Sequence, residues 1–454
     1  MEAASAIVFD RILDIQNPNS KIMASEVKVE LIHKETIKPS SPTPSHLKTT
    51  NLSVFYQLST EIYPPVLLFY PPCSNSTSTT ERSSILKTSL SKTLTHFYPF
   101  AGKFQYNDCI LCDDRGARFT EARVNCPISK VLYKPDFGIL CRLLPADITS
   151  AQAVTDHLLL VQANFFDCGG LAIGIYLSHK VADASTLSAF IKTWAAAALD
   201  LASTTSDHRE VLSVEVGFAA SLFPPLEFLN TPHRVMEYAI ENCRTRSFVF
   251  HNSKIAALKS KAGSPAVPNP TRVEVVSALI WKCAMEASRS NLGFVRPSTW
   301  CQPVNLRKIL GWASLEHSLG NLVGLSIAKT EENEVDDLQS LVAKLRKGTK
   351  EFKVKYGNGI TGDDACEMFK ELGNFIKRDD IDNYCGSSLC RFPFYDTNFG
   401  RGKPSWIFTA TGEFKNLVLL MDTSDAEGIE AFLTFKEEDM AIIEKNEELL
   451  AYAS

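Results

Sequence analysis

Short apolar runs alternate with amphipathic helical segments along this chain, and that alternation restricts the possible folds more than any other feature. In the first half, two strand-like runs, Leu158–Phe166 and Leu171–Leu177, flank Asp167–Gly170, a sequence typical of a tight hairpin. An amphipathic helix is predicted to begin near Asp183, because apolar residues follow it at helical spacing. The pattern favours a sheet with helices packed on it.

The second half of the chain repeats this mixed character. Helices are predicted over Thr271–Glu286, Leu338–Val354 and Glu437–Tyr452, and a strand over Leu322–Ala328. Strands that alternate with helices in both halves predict an α/β protein made of two domains of similar size.

The length of the chain fits this division, since 454 residues suffice for two or three domains. A polar stretch that begins at Ser203 is typical of a linker. We therefore expect an N-terminal extension over residues 1–22, a first domain over 23–202, a linker over 203–218 and a second domain over 219–454.

Charge and composition exclude several classes of protein. The chain has 47 basic and 52 acidic residues, a net charge of −5, which argues against a nucleic-acid partner. No apolar run reaches the roughly 18 residues of a membrane span, so no membrane partner is expected. The 12 cysteines are scattered, which is typical of reduced thiols in the cytoplasm. We expect a cytoplasmic monomer.

The most informative single residue is His179, which follows the apolar run Leu171–Ser178 and precedes the helix predicted near Asp183. A histidine at such a turn lies at the edge of a sheet, where α/β proteins place their clefts, and a neutral imidazole there can accept a proton. The alternative is a structural histidine bonded to a backbone carbonyl, with Asp183 acting only as a helix cap. The His-x-x-x-Asp spacing leaves both interpretations open.

Two further segments stand out. Gly400 and Gly402 flank a single residue, which predicts a tight loop with positive φ, although an ordinary loop between strands is the alternative. Arg307 follows an apolar stretch and is a candidate partner for a buried carboxylate, although it could equally be a surface arginine.

These pieces occur in one order along the chain: Ser178–Asp183, then Val304–Arg307, then Asn398–Gly402. In that order they resemble the motifs of the plant BAHD acyltransferases, and the segments Leu94–Lys103 and Cys390–Asp396 extend the resemblance. It covers roughly residues 24–454 and is strongest to the alkaloid acetyltransferase branch. The resemblance implies two chloramphenicol-acetyltransferase-like domains with mixed sheets and a channel between them.

The resemblance also implies an activity. His179 would act as general base on the hydroxyl of a small acceptor, such as an alkaloid, which then attacks the thioester of acyl-CoA. Acetyl-CoA would be a co-substrate, with no metal and no permanently bound cofactor. Asp183 would be structural and would face Arg307 rather than the imidazole.

Contacts with CoA are implied at two places. Lys259, Lys261 and Thr271 lie in a segment that serves this purpose in the family, although a solvated basic helix face explains the two lysines nearly as well. Ser387 and Ser388 occupy the positions that line the family's active site.

The chain departs from the family pattern at several positions. Asn398 replaces an acidic residue and Arg401 a tryptophan in the C-terminal loop, where Gly400 and Gly402 are kept. Leu389 replaces a tryptophan of the active site, which removes a flat wall and one N–H donor and should reshape the substrate pocket.

These departures leave three functions open. The first is an acyl-CoA-dependent O-acyltransferase with altered substrate scope. The second is an enzyme on the same scaffold that uses His179 for an elimination, cyclisation or isomerisation without CoA. The third is a non-catalytic binding protein, against which the intact His179 argues.

Overall fold

The computed structural model describes residues 27–59, 62–73, 78–145, 157–202, 215–230, 242–331, 336–409 and 414–454. The expected extension over residues 1–22 and most of the expected linker, residues 203–214, lie outside the described residues. The described chain forms a mixed α/β fold built on two six-stranded sheets and one small three-stranded sheet. The two-part α/β fold with mixed sheets that the sequence predicts is confirmed.

The first sheet combines five strands of the N-terminal half with one strand of the C-terminal half. In spatial order its strands are Val29–Ile37, Ala117–Val124, Leu159–Phe166, Leu171–Leu177, Pro65–Tyr70 and Trp406–Phe408. Only the second and third of these strands pair in parallel. Every residue of the three strands from Leu159–Phe166 to Pro65–Tyr70 is buried, which fits their predominantly apolar sequences.

The second sheet belongs to the C-terminal half. Its strands, in spatial order, are Val323–Lys329, Ser298–Asn305, Asp382–Ser388, Leu417–Asp422, Ile429–Lys436 and Cys243–Phe250. The strands in second, third and fourth place run parallel to one another, and the outer pairs are antiparallel. The small sheet contains Thr49–Asn51, Cys109–Leu111 and Lys103–Gln105.

The strand Trp406–Phe408 crosses from the C-terminal half to the edge of the first sheet, where it pairs with Pro65–Tyr70. The Trp406 ring stacks on Phe69 at 5.3 Å, and its indole Nε1 donates to the buried carboxylate of Glu430 at 2.9 Å. Because Glu430 belongs to the second sheet, this tryptophan connects the two sheets. The first sheet is therefore not contained within the domain predicted over residues 23–202.

Helices cover the sheets. Those of the N-terminal half are Val54–Leu58, Thr79–His96, Ile128–Tyr133, Phe137–Arg142 and Ala184–Ala202. Those of the C-terminal half are Phe218–Leu222, Asn252–Ala262, Arg272–Leu292, Leu306–Leu310, Leu338–Tyr356, Gly362–Ile376, Glu437–Ile443 and Glu447–Tyr452. No helix in these described ranges is long and apolar enough to cross a membrane.

The prediction of one final helix over Glu437–Tyr452 is wrong. The segment forms two helices, because the first ends at Ile443 and Asn446 caps the second by accepting a hydrogen bond from the backbone N–H of Leu449 at 2.9 Å. Asparagine is a strong helix N-cap, and here its capping geometry outweighs the helical periodicity of the surrounding residues.

Candidate active site

A cavity of about 260 Å³ lies between the two halves of the fold. Its lining is drawn from both sheets and their connections, and includes Ser59 and His179 from the N-terminal half and Pro303, Asn321, Ser387 and Leu389 from the C-terminal half. His179 thus lines a cavity at the junction of the two halves, the place where the resemblance implies an active site.

The local sequence explains how His179 reaches this place. The strand Leu171–Leu177 ends two residues before it, a turn follows, and the next helix begins at Ala184. The His179 backbone N–H donates to the Ile62 carbonyl at 2.8 Å, which fixes the start of the turn. Burial lowers the pKa of the imidazole below its usual 6.5, so the ring is neutral near pH 7.

Asn321 holds the peptide and ring of His179 in place. Its Nδ2 lies 2.8 Å from the His179 carbonyl oxygen, 2.8 Å from Ser59 Oγ and 3.0 Å from His179 Nδ1. In the tautomer that carries its proton on Nδ1, the two amide protons of Asn321 go to the His179 carbonyl and to Ser59, and Nε2 keeps its lone pair. This is the tautomer that can accept a proton.

Asp183 and Arg307 form a buried ion pair beside the cavity. Arg307 Nη1 donates to Asp183 Oδ2 at 2.5 Å, and the two residues are 6% and 4% exposed respectively. The same carboxylate accepts from the backbone N–H groups of Thr186, as a helix cap, and of Leu322, both at 2.9 Å. The helix cap expected from the sequence and the arginine partner implied by the resemblance are both present.

The remaining bonds of Arg307 position the segment 318–322. Its guanidinium donates to the carbonyls of Ser318 at 2.8 Å and Gly320 at 3.1 Å. Gly320 has φ +130°, and a Cβ there would lie 1.5 Å from Tyr56 Oη, so only glycine fits. The ion pair therefore orders the turn that carries Asn321, and the side chain of Asn321 contacts the imidazole of His179.

Comparison with known proteins identifies the family. A family model described as the Transferase family matches residues 27–450. The chain belongs to the BAHD transferase family. The acyltransferase class predicted from the sequence is thereby confirmed.

Several relatives of the chain have names that state an activity. Akuammiline synthase 1 of Alstonia scholaris is 40% identical over 435 residues, which cover 94% of this chain and 98% of that protein. Deacetylvindoline O-acetyltransferase of Catharanthus roseus is 37% identical, with the same two coverages. Among solved structures, vinorine synthase matches with a TM-score of 0.81 and 32% identity over 94% of this chain and 99% of that one.

The BAHD motif positions predicted to contact substrates fall in two places. Ser387, Ser388 and Leu389 line the cavity, at the end of the strand Asp382–Ser388. The Ser388 hydroxyl accepts from the Cys390 backbone N–H at 3.3 Å and keeps its own proton to donate.

The three other residues predicted to contact CoA are not among those that line the cavity. Lys261 pairs with Glu448 at 2.8 Å and lies over the Tyr452 ring. Thr271 forms a capping box with Glu274 at the start of Arg272–Leu292. Lys259 lies in the last turn of Asn252–Ala262.

The altered BAHD loop keeps its turn. Gly400 and Gly402 have φ of 80° and 82°, as predicted. Asn398 Oδ1 accepts from the backbone N–H groups of Arg401 and Gly402, each at 2.9 Å, so an amide oxygen serves where the family has a carboxylate. No residue of the loop is among those that line the cavity, whereas Leu389 does line it.

Sequence reasoning missed Asn321. It sits in a turn with no periodic pattern, and its importance comes from contacts with residues 142 and 262 positions earlier in the chain. The one local signal was Gly320, whose positive φ marks a constrained turn.

Proposed function

We propose that this chain is an acyl-CoA-dependent O-acyltransferase that transfers an acyl group, preferably acetyl, to a hydroxyl of a specialised metabolite such as an alkaloid. The observation that carries the proposal is that His179 lines the cavity between the two halves, with Asn321 Nδ2 3.0 Å from its Nδ1. Names of relatives support the substrate classes, since they include O-acetyltransferases of deacetylvindoline, stemmadenine and minovincinine.

The proposed reaction needs one base. His179 Nε2 takes the proton of the acceptor hydroxyl as its oxygen attacks the thioester carbonyl. The resulting tetrahedral intermediate collapses when the C–S bond breaks, and the imidazolium returns its proton to the departing CoA thiolate. The hydroxyl groups of Ser387 and Ser388 are candidate donors to the oxyanion. Asp183 does not enter the reaction, because its oxygens are occupied by Arg307, Thr186 and Leu322.

The proposal has three further parts that stay predictions. They are contacts of CoA with Lys259, Lys261 and Thr271, a monomeric protein and a cytoplasmic location. A titration of the protein with CoA, repeated with Lys259→Ala and Thr271→Val, would test the contacts.

The function is tested by incubating the purified protein with acetyl-CoA and a panel of alcohols. Alkaloid alcohols, limonoid alcohols and simple alcohols should be included, because a limonoid 1-O-acetyltransferase of Citrus sinensis is also a relative, at 36% identity. We expect acceptor-dependent release of CoA together with an ester product. Absence of both across the panel, for a protein that binds CoA, would contradict the proposal.

A second candidate is turnover without CoA. Two relatives are named synthases, akuammiline synthase 1 and diaboline synthase of a Strychnos species, and Leu389 alters the cavity beside His179. The same panel run without an acyl donor tests it, since rearranged or cyclised product would favour this candidate.

Replacing Leu389 with tryptophan should narrow the acceptor range. Leu389 lines the cavity and packs against the core of the first half, so an indole there must take space from the acceptor. We expect KM for a bulky acceptor to rise at least about tenfold. A short-chain alcohol serves as internal control and should be affected little, and an equal effect on both acceptors would place Leu389 outside the acceptor site.

Replacing Asn321 with alanine should lower kcat by up to about 10²-fold, the loss that a misplaced catalytic group can produce. The reason is that Asn321 Nδ2 lies 2.8 Å from the His179 carbonyl oxygen and 3.0 Å from Nδ1, so that without it the peptide and the ring would both lose their fixed position. KM for acetyl-CoA should change little, and the acid limb of the pH profile should move. A lower melting temperature with unchanged kcat and pH profile would show a merely structural role.

A further inference from the structure

Two arginines meet at the end of the first sheet that is remote from His179. Arg82 Nη1 donates to the Gly169 carbonyl at 3.1 Å, and Arg401 Nη2 donates to the same oxygen and to the Pro71 carbonyl at 3.2 Å. Gly169 lies in the hairpin turn that precedes the strand Leu171–Leu177. That strand has seven residues and spans about 20 Å, and His179 follows its opposite end.

No carboxylate in the described part of the chain forms an ion pair with either arginine. Asp167, in the same turn, pairs with Arg123 at 3.1 Å, and Glu81, beside Arg82, forms no ion pair with it. Burial and the charge of Arg82 both lower the pKa of Arg401. Two like charges thus share one carbonyl without a counter-ion among the described residues.

Three hydrogen-bond donors of this pair are also unused. Nε and Nη1 of Arg401 and Nε of Arg82 are shielded from solvent and have no acceptor among the described residues. A buried donor without an acceptor lowers the stability of the folded state, and the free-energy cost is larger for a charged donor than for a neutral one. Arg82 also lies in the first turn of the 18-residue helix Thr79–His96, whose N-terminal dipole adds to the positive potential.

We propose that Arg82 and Arg401 together bind an oxyanion of the phosphate or sulfate class. A tetrahedral oxyanion supplies the missing negative charge, and its oxygens match the planar fork of donors that a guanidinium presents. The shared Gly169 carbonyl holds both side chains together before the anion arrives. Because the free donors are shielded, the anion must enter between the two side chains and move them slightly apart.

The test is thermal unfolding of the full chain at increasing phosphate or sulfate, with chloride at matched ionic strength as reference. We expect a saturable rise of several degrees in the melting temperature of the unmodified protein, because a ligand that binds only the folded state stabilises it. The rise should be lost in Arg401→Gln and in Arg82→Gln, and reduced in Arg401→Lys. Arg289→Gln, which removes an exposed arginine from another helix, is the matched control and should keep it.

Two results would overturn the proposal. An equal rise in all variants would show only the general stabilisation that phosphate and sulfate give to proteins. No saturable rise in the unmodified protein would show that the two arginines bind neither ion. If Arg401→Gln does not fold, Arg82→Gln carries the test.

A titration with CoA distinguishes the two sources of phosphate. If the site binds a free oxyanion, the unmodified protein and Arg401→Gln should bind CoA with equal affinity. A loss of CoA affinity in that variant would overturn the assignment to a free anion. It would show instead that the phosphate groups of CoA bind between these two arginines.

Discussion

Replacing His179 with alanine is expected to lower kcat for acyl transfer by about 10²–10⁴-fold, the contribution of a positioned general base. The hydroxyl of the acceptor is a weak nucleophile until its proton is removed, and His179 is the imidazole that faces the cavity among the described lining residues. KM for acetyl-CoA should change little. The measurement is steady-state release of CoA with the best acceptor of the panel.

The matched control for this substitution is His157→Ala. His157 is a partly buried histidine whose Nδ1 bonds to the Gly116 carbonyl at 3.0 Å, outside the cavity lining. Its loss should leave kcat unchanged. A His179→Ala variant that folds and keeps full turnover would rule out the proposed mechanism.

The pH dependence of the unmodified protein gives a second readout of the same residue. His179 accepts a proton only when neutral, so kcat/KM should fall as pH drops through its pKa. Burial lowers that pKa below 6.5, so the acid limb should lie below pH 6.5 and the profile should be flat around pH 7. An acid limb centred above 7 would indicate another base.

Replacing Asp183 with asparagine is expected to destabilise the fold by about 3–5 kcal/mol. The substitution keeps the shape of the side chain but leaves the buried charge of Arg307 without its partner at 2.5 Å. Activity should also fall, because Arg307 orders the segment 318–322 that carries Asn321. The measurement is the free energy of unfolding from urea titration, with kcat measured on the folded fraction.

An exposed ion pair provides the comparison. Lys347 and Glu351 lie 3.8 Å apart on one helix face, and both side chains are mostly exposed. Glu351→Gln should change stability by no more than about 1 kcal/mol. If Asp183→Asn were equally mild, the buried pair with Arg307 would not be what stabilises the junction. Joint replacement of Asp183 and Arg307 by apolar residues should restore part of the lost stability.

Much of the fold could be predicted from the sequence because its central strands are buried on both faces. Leu171–Leu177 is apolar throughout, so its strand and the turn that begins at His179 follow from local composition. The pairing of Asp183 with Arg307 came instead from the resemblance to the BAHD motifs, since 124 residues separate the two.

The features that could not be predicted depend on contacts distant in the chain. Asn321 has no periodic neighbours, and Trp406–Phe408 is only three residues long, too short to indicate which sheet it joins. The break between the two last helices depends on a single cap at Asn446. In each case a polar or edge contact, rather than apolar periodicity, decides the structure.

The crossing strand Trp406–Phe408 also governs the order in which the molecule can be assembled. Its neighbour Ser405 donates to the Phe69 carbonyl, 336 residues away in the chain. During synthesis, Pro65–Tyr70 must therefore wait as an unpaired apolar edge, the kind that recruits other chains, until almost the whole polypeptide has left the ribosome. A fragment cut at the linker would keep that edge permanently, so the N-terminal half should be insoluble when expressed without its partner half.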